Sequence, residues 1–320
     1  MTPVSQGRDE TSDPEDDEFG LLHENASEWD IPWSGPPQVE RRSVTLDGGQ
    51  VLSYVIWGRG DPEVVFLHGG GQNAHTWDTV ALALDRPALA LDLPGHGRSS
   101  WRPDRNYGPW ANADAVEKLL SEAAPNAAAV VGMSLGGATT MRLAALRPDL
   151  VGKAVLVDVT PQINDPSRTL TTAEKGSVAL VGGSPTFESF AAMADATIAL
   201  SPLRPASAVR RGVRHNAHQL PDGRWRWRYD LFGERPVSTG NWSDFTPLWW
   251  DVARITTPTM FIRGRLSKLV RDEDVDEMRR RLPSLRVEVV DGAGHAVQSD
   301  RPLELVRLLE NFVFSDDEMA

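Results

Sequence analysis

Short apolar runs that do not alternate with polar residues recur along the chain and predict strands buried on both faces. They lie at residues 64–67, 88–91, 128–131, 154–157, 259–262 and 287–290. Helix-like stretches separate them near residues 76–85, 110–124, 135–147, 272–282 and 302–313. Buried strands that are separated by helices are typical of a parallel sheet with helices on both sides. We therefore predict a doubly wound, mostly parallel α/β fold.

A different pattern precedes the first of these runs. The segments RRSVTL and QVLSYVIWG flank Asp47-Gly48-Gly49. Asp-Gly between two strand-like segments is a strong turn signal, because the turn of a tight hairpin needs residues that tolerate a positive φ. The sequence therefore predicts a β-hairpin ahead of the parallel strands.

Residues 161–250 interrupt the rhythm of strand and helix. They contain no comparable apolar run, but they hold five of the eleven tryptophans: Trp225, Trp227, Trp242, Trp249 and Trp250. About ninety residues are too many for a simple crossover, so we predict a mostly helical cap inserted after the sixth strand. Within it, GRWRWRYD alternates Arg and Trp and predicts a short strand with a cationic face and an aromatic face.

The two ends of the chain carry its acidity. The whole chain has 33 Lys plus Arg against 45 Asp plus Glu and a formal charge of -12, yet residues 31–314 hold 32 of each. A neutral body with no basic patch does not indicate nucleic-acid binding. We predict that residues 1–38 are a disordered, solvated acidic tail and 315–320 a second tail, although Trp29, Ile31 and Trp33 offer a way to pin the first tail onto the body. Residues 39–160 and 251–314 then form the α/β core, with 161–250 as the cap.

The composition restricts the chemistry available. With no cysteine, disulfides, zinc-thiolate sites, iron-sulfur clusters and a thiol nucleophile are excluded. No secretion signal or apolar segment of membrane-spanning length is present, so we expect a cytoplasmic protein. No histidine and carboxylate cluster has metal-ligand spacing, and HGGGQN lacks the Lys and Ser/Thr of a phosphate loop, so we predict no metal and no cofactor.

The strongest chemical signal is the G-x-S-x-G of Gly132, Ser134 and Gly136, between an apolar strand and an Ala/Leu-rich helix. A sharp turn there lifts the serine hydroxyl above the sheet edge. Serine is a poor nucleophile unless a base removes its proton. His295 is the best placed of the seven histidines, because it follows the last strand on a Gly-rich loop, at the sheet edge where open α/β proteins build their sites.

Four motifs appear in the order used by the α/β-hydrolase family, which this chain resembles over residues 40–314. They are FLHGGG at 66–71, DLPGHGRS at 92–99, GMSLG at 132–136 and GAGH at 292–295. The resemblance implies an oxyanion hole made by the backbone N–H groups of Leu135 and Gly70. It also implies that His68 and His96 brace loops, with His68 a candidate for the pocket wall.

The acid that orients His295 is not at the position that the family most often uses. There a G-x-x-D pattern follows the strand after the cap, but the third residue after Gly264 is Ser267. The family's other solution places the acid at the end of the strand before the cap, where Asp158 closes an apolar run. We assign the role to Asp158, with Asp272 and Asp274 as alternatives.

These residues predict a serine hydrolase that uses Ser134, His295 and Asp158 and forms an acyl-enzyme on a small, largely apolar carboxylic ester or lactone. The residues expected to contact the substrate are Trp77, His68, Met133, Trp225 and Trp227. One alternative is a hydrolase that cleaves carbon-carbon bonds of diketones with the same residues. Another is a weakly catalytic ligand-binding receptor of the same fold. Family members with an aspartate nucleophile are disfavoured by Ser134.

Overall fold

The computed structural model describes residues 17–163, 171–172, 186–230 and 244–315. Its centre is an eight-stranded sheet in the order β1-β2-β4-β3-β5-β6-β10-β11. These strands are β1 (Val39–Thr45), β2 (Val51–Trp57), β3 (Val64–Leu67), β4 (Ala88–Leu91), β5 (Ala129–Met133), β6 (Lys153–Val157), β10 (Thr259–Gly264) and β11 (Arg286–Val290). Each lies within two residues of a strand predicted from the apolar runs or the hairpin signal.

The strand directions also agree with the prediction. The hairpin of β1 and β2 is antiparallel and joins β4 in antiparallel register. Every pair from β4 to β11 is parallel. Because the carboxyl ends of parallel strands share one edge of the sheet, residues that follow β3, β5, β6 and β11 are brought together there.

Helices cover both faces of the sheet. The helices are α1 (Leu22–Glu28), α2 (Asp78–Leu84), α3 (Pro109–Ala123), α4 (Leu135–Leu146), α5 (Phe190–Ala199), α6 (Ala206–Asn216), α7 (Trp249–Val252), α8 (Asp272–Arg281), α9 (Val297–Asp300) and α10 (Pro302–Leu309), of which α5 and α6 pack in a separate apolar cluster away from the sheet. Val130 of β5 packs into the apolar cluster that contains α3 and α4, whereas its neighbour Val131 packs into the cluster that contains α2 and α10. Burial on both faces explains why the apolar runs do not alternate. None of the described helices is both long and apolar enough to cross a membrane.

Between β6 and β10, the described part of the proposed cap contains α5, α6 and a three-stranded antiparallel sheet of β7 (Thr186–Phe187), β8 (Ala217–Gln219) and β9 (Trp225–Trp227). The predicted two-faced strand is β9. Trp225 and Trp227 are buried in the cap's apolar cluster, and the Arg226 guanidinium lies 4.4 Å from the centre of the Trp101 ring. Residues 164–170, 173–185 and 231–243, including Trp242, lie outside the described residues.

The prediction of a solvated amino-terminal tail is wrong for residues 17–29. Helix α1 buries Leu22 and Ala26, which are 3% and 1% exposed, against the body. The Asn25 amide donates a hydrogen bond of 2.8 Å to the Thr79 hydroxyl. Only one turn of the helix is apolar, and the rest is held by polar contacts, so the segment has no long hydrophobic period to reveal it. Residues 1–16 lie outside the described residues.

Candidate active site

Ser134 stands at the sharp turn between β5 and α4, as the G-x-S-x-G motif predicts. Its backbone has φ 51° and ψ -115°, which is strained for a residue with a side chain. The flanking glycines are required by close packing, since a Cβ on Gly132 would lie 2.4 Å from the Gly136 carbonyl oxygen, and one on Gly136 would lie 2.2 Å from the Leu67 carbonyl oxygen. The turn therefore holds Ser134 in a fixed position at the carboxyl edge of the sheet.

His295 and Asp158 meet at the same edge. His295 Nδ1 lies 2.7 Å from Asp158 Oδ2, so the imidazole donates to the carboxylate. Asp158 directly follows β6 and is fully buried, whereas the His295 side chain is 12% exposed. The structure thus brings these two predicted residues into contact across 137 residues of sequence.

The Asp158 carboxylate has two further donors. The Gly264 N–H donates to Oδ1 at 3.1 Å, and the Ser267 hydroxyl donates to Oδ2 at 2.5 Å. Ser267 occupies the position where the family more often has the acid. Here the Ser267 hydroxyl fixes Asp158, which follows β6. The sequence did not reveal this role.

The two alternative acids lie elsewhere. Asp272 pairs with Arg263, and its side chain is 89% exposed. The Asp274 carboxylate accepts the Arg271 N–H at 2.9 Å, as the cap of helix α8. Both carboxylates are therefore occupied with other partners, and Asp158 is the acid that contacts His295.

The loop after β3, residues 68–71, which the family resemblance assigns to the oxyanion hole and which we call the oxyanion loop, is joined to the turn at Ser134. The Gly136 N–H donates to the His68 carbonyl oxygen at 3.0 Å. A Cβ on Gly69 would approach Ser134 Cβ to 3.2 Å, whereas one on Gly70 would meet nothing within 4 Å. Leu135 is the first residue of α4, where backbone N–H groups have no acceptor within the helix. The arrangement fits two N–H donors next to the Ser134 hydroxyl.

His68 and His96 are buried braces. His68 Nε2 accepts the Leu93 N–H at 2.9 Å, and its Nδ1–H donates to the Gly69 carbonyl at 2.7 Å. Burial lowers the pKa of His68 to about 4 and that of His96 to about 3, so both are neutral. His68 supports the oxyanion loop, as the resemblance implies, but it is not among the described residues that line the cavity beside that loop.

Two predicted substrate contacts are core residues instead. Trp77 is fully buried and stacks on Phe66 with ring centres 4.9 Å apart. Met133 is 2% exposed and packs in the same apolar cluster. Apolar side chains beside a site pack inward as readily as outward, and the sequence does not distinguish the two directions.

A cavity of about 170 Å³ opens beside the oxyanion loop, with Gly70 and Gly71 on its wall. Its other walls come from α1, α2, the cap helix α6 and α9, which begins two residues after His295. Trp227 lines this cavity, as predicted, and stacks on Tyr229. Trp225 does not line it, because it packs on Phe190 inside the cap, with ring centres 5.4 Å apart.

A buried charged cluster borders the same cavity. His75 donates from Nδ1 to Asp78 and from Nε2 to Glu18, both at 2.9 Å. Burial opposes the charge on His75, but the two carboxylates outweigh burial and raise its pKa to about 9. The His215 ring stacks on His75 at 3.8 Å, and burial beside that cation lowers the pKa of His215 well below its usual value.

This cluster corrects one expectation, because ligand atoms of His75, Asp78 and His215 lie within 4.8 Å of one another and form a group able to hold a metal ion. The spacing of residues in the sequence did not reveal this group, because His215 lies in the proposed cap, far along the chain from His75 and Asp78. At neutral pH the proton on His75 competes with any cation there.

Asp300 is another residue that the sequence did not single out. Its Oδ2 accepts the Gly294 N–H at 2.9 Å, immediately before His295, and burial raises the pKa of its carboxyl group. It therefore helps to fix the loop that carries the candidate base.

Known proteins resemble this chain over most of its length. Residues 64–308 match the alpha/beta hydrolase family. Esterase Rv0045c of Mycobacterium tuberculosis is 48% identical over 295 residues, which span 92% of this chain and 94% of that protein. The 2-(acetamidomethylene)succinate hydrolase of Mesorhizobium japonicum is 31% identical over 271 residues, or 84% of this chain and 94% of that enzyme. A solved structure of the M. tuberculosis esterase Rv0045c superposes with a TM-score of 0.80 at 47% identity, covering 93% of this chain and 99% of that one.

Proposed function

The chain belongs to the α/β-hydrolase family, and from this premise we propose that it is a serine esterase that hydrolyses small carboxylic esters through an acyl-enzyme. That it is a hydrolase rests on the match to this family and on the 48% identity to an esterase. The observation that carries the proposed mechanism is the 2.7 Å contact between His295 and Asp158, at the sheet edge that also presents Ser134.

In the proposed first step, the Ser134 oxygen attacks the ester carbonyl while His295 Nε2 takes the hydroxyl proton. Asp158 holds the proton of His295 on Nδ1 and stabilises the imidazolium that forms. The N–H groups of Gly70 and Leu135 donate to the carbonyl oxygen as it becomes negative. His295 then gives its proton to the departing alcohol, and an ester bond joins the acyl group to Ser134.

Water completes the cycle by the same route in reverse. His295 takes a proton from water, the hydroxide attacks the acyl carbonyl, and Ser134 leaves with the proton that His295 returns. The free acid and the alcohol are the products. Apart from the ester and one water molecule, these steps use only groups of the chain.

The receptor alternative depended on the aspartate missing at residue 267. That argument is weakened, because Ser267 donates to Asp158 rather than leaving His295 without a carboxylate. The described residues show no contact that favours diketone cleavage. Comparing the rates on a diketone and on an ester separates this alternative from ester hydrolysis.

The test is covalent labelling with a fluorophosphonate, together with hydrolysis of p-nitrophenyl acetate, a lactone and a diketone. We expect one label per chain, on Ser134, and loss of both label and ester hydrolysis in Ser134→Ala. Ser121→Ala is the matched control, because Ser121 lies exposed on α3 and its hydroxyl donates to the Glu117 carbonyl of the same helix. Absence of labelling in folded wild-type protein would reject the proposal, and faster cleavage of the diketone than of the ester would favour the alternative hydrolase.

A further inference from the structure

The loop that carries His295 is held from two sides at the peptide group of Gly294. On one side it packs against the end of β10, since a Cβ on Gly264 would collide with the Gly294 carbonyl oxygen. The Gly264 N–H is also a group that donates to Asp158. A displacement of the Gly294 peptide group would therefore change the distance between His295 and Asp158.

Asp300 holds the other side of this peptide group. Asp300 is the last residue of α9, and its N–H donates to the Ala296 carbonyl oxygen at 2.9 Å, so the helical turn brings its side chain back to the loop. Its Oδ2 accepts the Gly294 N–H at 2.9 Å, and the side chain is 6% exposed. Because an ionised acceptor binds an N–H group more strongly than a neutral one, the charge of Asp300 strengthens this hold on the loop.

A buried carboxylate needs a counter-charge, and Asp300 has one in the proposed cap. Arg204, in the segment between α5 and α6, places Nε 3.7 Å from Asp300 Oδ1. Burial raises the pKa of the Asp300 carboxyl group, and the Arg204 charge is the strongest of the effects that oppose this rise. Burial lowers the pKa of Arg204, and Asp300 is the strongest of the groups that oppose that change. Each of the two charges is therefore stabilised by the other.

The segment between α5 and α6 contacts the loop at a second point. Leu203 reaches Gly294, because a Cβ on Gly294 would lie 3.3 Å from Leu203 Cδ1. The Ser201 hydroxyl accepts from Arg204 Nη2 at 3.0 Å and so orients the guanidinium. Residues 201–204 thus meet the loop through an apolar side chain and through the carboxylate of Asp300.

Helix α6 follows this segment and is itself held against α1. Arg211 of α6, whose side chain is 8% exposed, pairs with Glu24 at 3.2 Å and with Glu28 at 2.6 Å. A nearly buried guanidinium that loses its carboxylates is left with an uncompensated charge, which is strongly unfavourable. The two ion pairs therefore help to keep the segment before α6 in its place beside the loop.

We propose that Asp300 and Arg204 are positioning residues for His295. Asp300 holds the loop through the Gly294 N–H, and Arg204 ties the carboxylate that does so to the proposed cap. With either charge removed, the His295 ring is no longer held where it takes the Ser134 proton. This inference rests on the proposed esterase function, to which it adds a connection between the cap and the base.

The first experiment measures the acylation rate and KM with p-nitrophenyl acetate in Asp300→Asn, in Arg204→Gln and in the double variant. Each single substitution removes one charge of the pair at nearly constant size. It should lower the acylation rate about tenfold, the effect of one hydrogen bond to a charged group, with KM within about twofold of the wild type. Since both charges act through one contact, the double variant should also lose about tenfold, whereas independent effects would multiply to about a hundredfold. Arg204→Lys keeps the charge and should recover most of the rate.

Two matched controls separate this effect from a general change of charge. Asp291→Asn removes an exposed carboxylate at the start of the same loop, where it pairs with Arg265. Arg210→Gln removes a cap arginine that pairs with Asp195 at the surface. Both variants should keep the wild-type acylation rate. Thermal unfolding is measured for every variant to confirm the fold.

The second experiment tests the position of the imidazole directly. The proton in the short hydrogen bond between His295 Nδ1 and Asp158 is deshielded, and its low-field NMR signal depends on the length of that bond. The signal should move upfield in Asp300→Asn and in Arg204→Gln, because the ring moves away from Asp158. It should stay in place in Asp291→Asn. A loss of stability without movement of the ring would leave the signal unchanged.

Losses that multiply in the double variant, an unchanged rate in Arg204→Gln, or an unchanged low-field signal would each overturn the positioning role. If Arg204→Gln does not fold, Ser201→Ala removes only the group that orients Arg204 and should lower the rate about threefold. No loss in that variant would overturn the role as well. Fluorophosphonate labelling is measured in every variant. A labelled wild type with unchanged rates in the variants would reject this inference alone, whereas a wild type that is not labelled would reject the esterase proposal.

Discussion

Replacing Asp158 by asparagine is expected to stop catalysis by changing the position of one proton. In the native protein, Asp158 Oδ1 accepts the Gly264 N–H, while Oδ2 accepts from Ser267 and His295. The backbone N–H at Gly264 is fixed, so the asparagine oxygen must take the Oδ1 position. Its NH₂ group then faces His295 Nδ1.

Only a deprotonated Nδ1 accepts from that NH₂ group. The proton of His295 therefore moves to Nε2, the atom that must take the proton of Ser134. Ser267 does not prevent this change, because its hydroxyl rotates and accepts the second N–H of the amide. Holding the wrong tautomer in a serine triad costs about four orders of magnitude in rate, or about 5.5 kcal/mol of transition-state stabilisation.

The assay is the rate of acylation, measured as the burst of p-nitrophenol with excess ester, together with thermal unfolding to confirm the fold. Asp272→Asn is the matched control, since Asp272 is an exposed carboxylate that pairs with Arg263 of β10. This substitution should leave the rate within twofold of the wild type. Ser267→Ala keeps the carboxylate and should lose only about tenfold, the effect of one hydrogen bond to a charged group. Asp158→Asn with a rate within tenfold of the wild type would refute the reasoning.

Three further outcomes follow from the described contacts. Trp77→Ala should lower the free energy of unfolding by about 3–5 kcal/mol in urea titrations, while KM for p-nitrophenyl acetate stays unchanged. A change in KM with no loss of stability would show instead that Trp77 contacts the substrate. The pKa of His75 is about 9 in the folded protein and 6.5 in the unfolded chain. Its contribution to the free energy of unfolding is therefore fully present below pH 6.5 and is lost as the pH rises through 9. The unfolding free energy should therefore fall by roughly 3 kcal/mol over that range, and His75→Gln should remove this slope. Dialysis against EDTA should leave ester hydrolysis unchanged, because the proposed steps use only side-chain and backbone groups of the chain, and a loss restored by a divalent cation would contradict that mechanism.

The sheet was predictable because buried parallel strands leave unmixed apolar runs, and each run became a strand within two residues of its expected place. The position of Asp158 was predictable for the same reason, since it ends such a run at the edge that also carries Ser134. What sequence could not show are contacts between distant polar residues. Neither Glu18 nor Arg211 stands in a motif, and their partners lie in other segments.

The direction in which a single side chain points could not be predicted from the sequence either. Trp77 and Trp227 both looked like pocket walls, yet one stacks inside the core and the other lines the cavity. Ser267 was read as a missing acid, because a sequence shows which residue occupies a position but not which neighbour it bonds. Helix α1 in the amino-terminal segment was not predicted at all, because one apolar helical turn is too short for its period to be detected.

The order of the chain places the proposed catalytic residues on both sides of the inserted segment. The oxyanion loop, Ser134 and Asp158 all precede the inserted segment, and His295 alone follows it. A recombinant that replaces residues 186–230 with the corresponding region of a relative keeps the proposed nucleophile and the proposed acid on one unbroken stretch of polypeptide. The return to β10, which lies beside β6, has to be preserved for the His295 imidazole to reach Asp158. The residue at position 211 would then decide whether such a hybrid keeps the contact between α6 and α1, because Arg211 pairs with both Glu24 and Glu28.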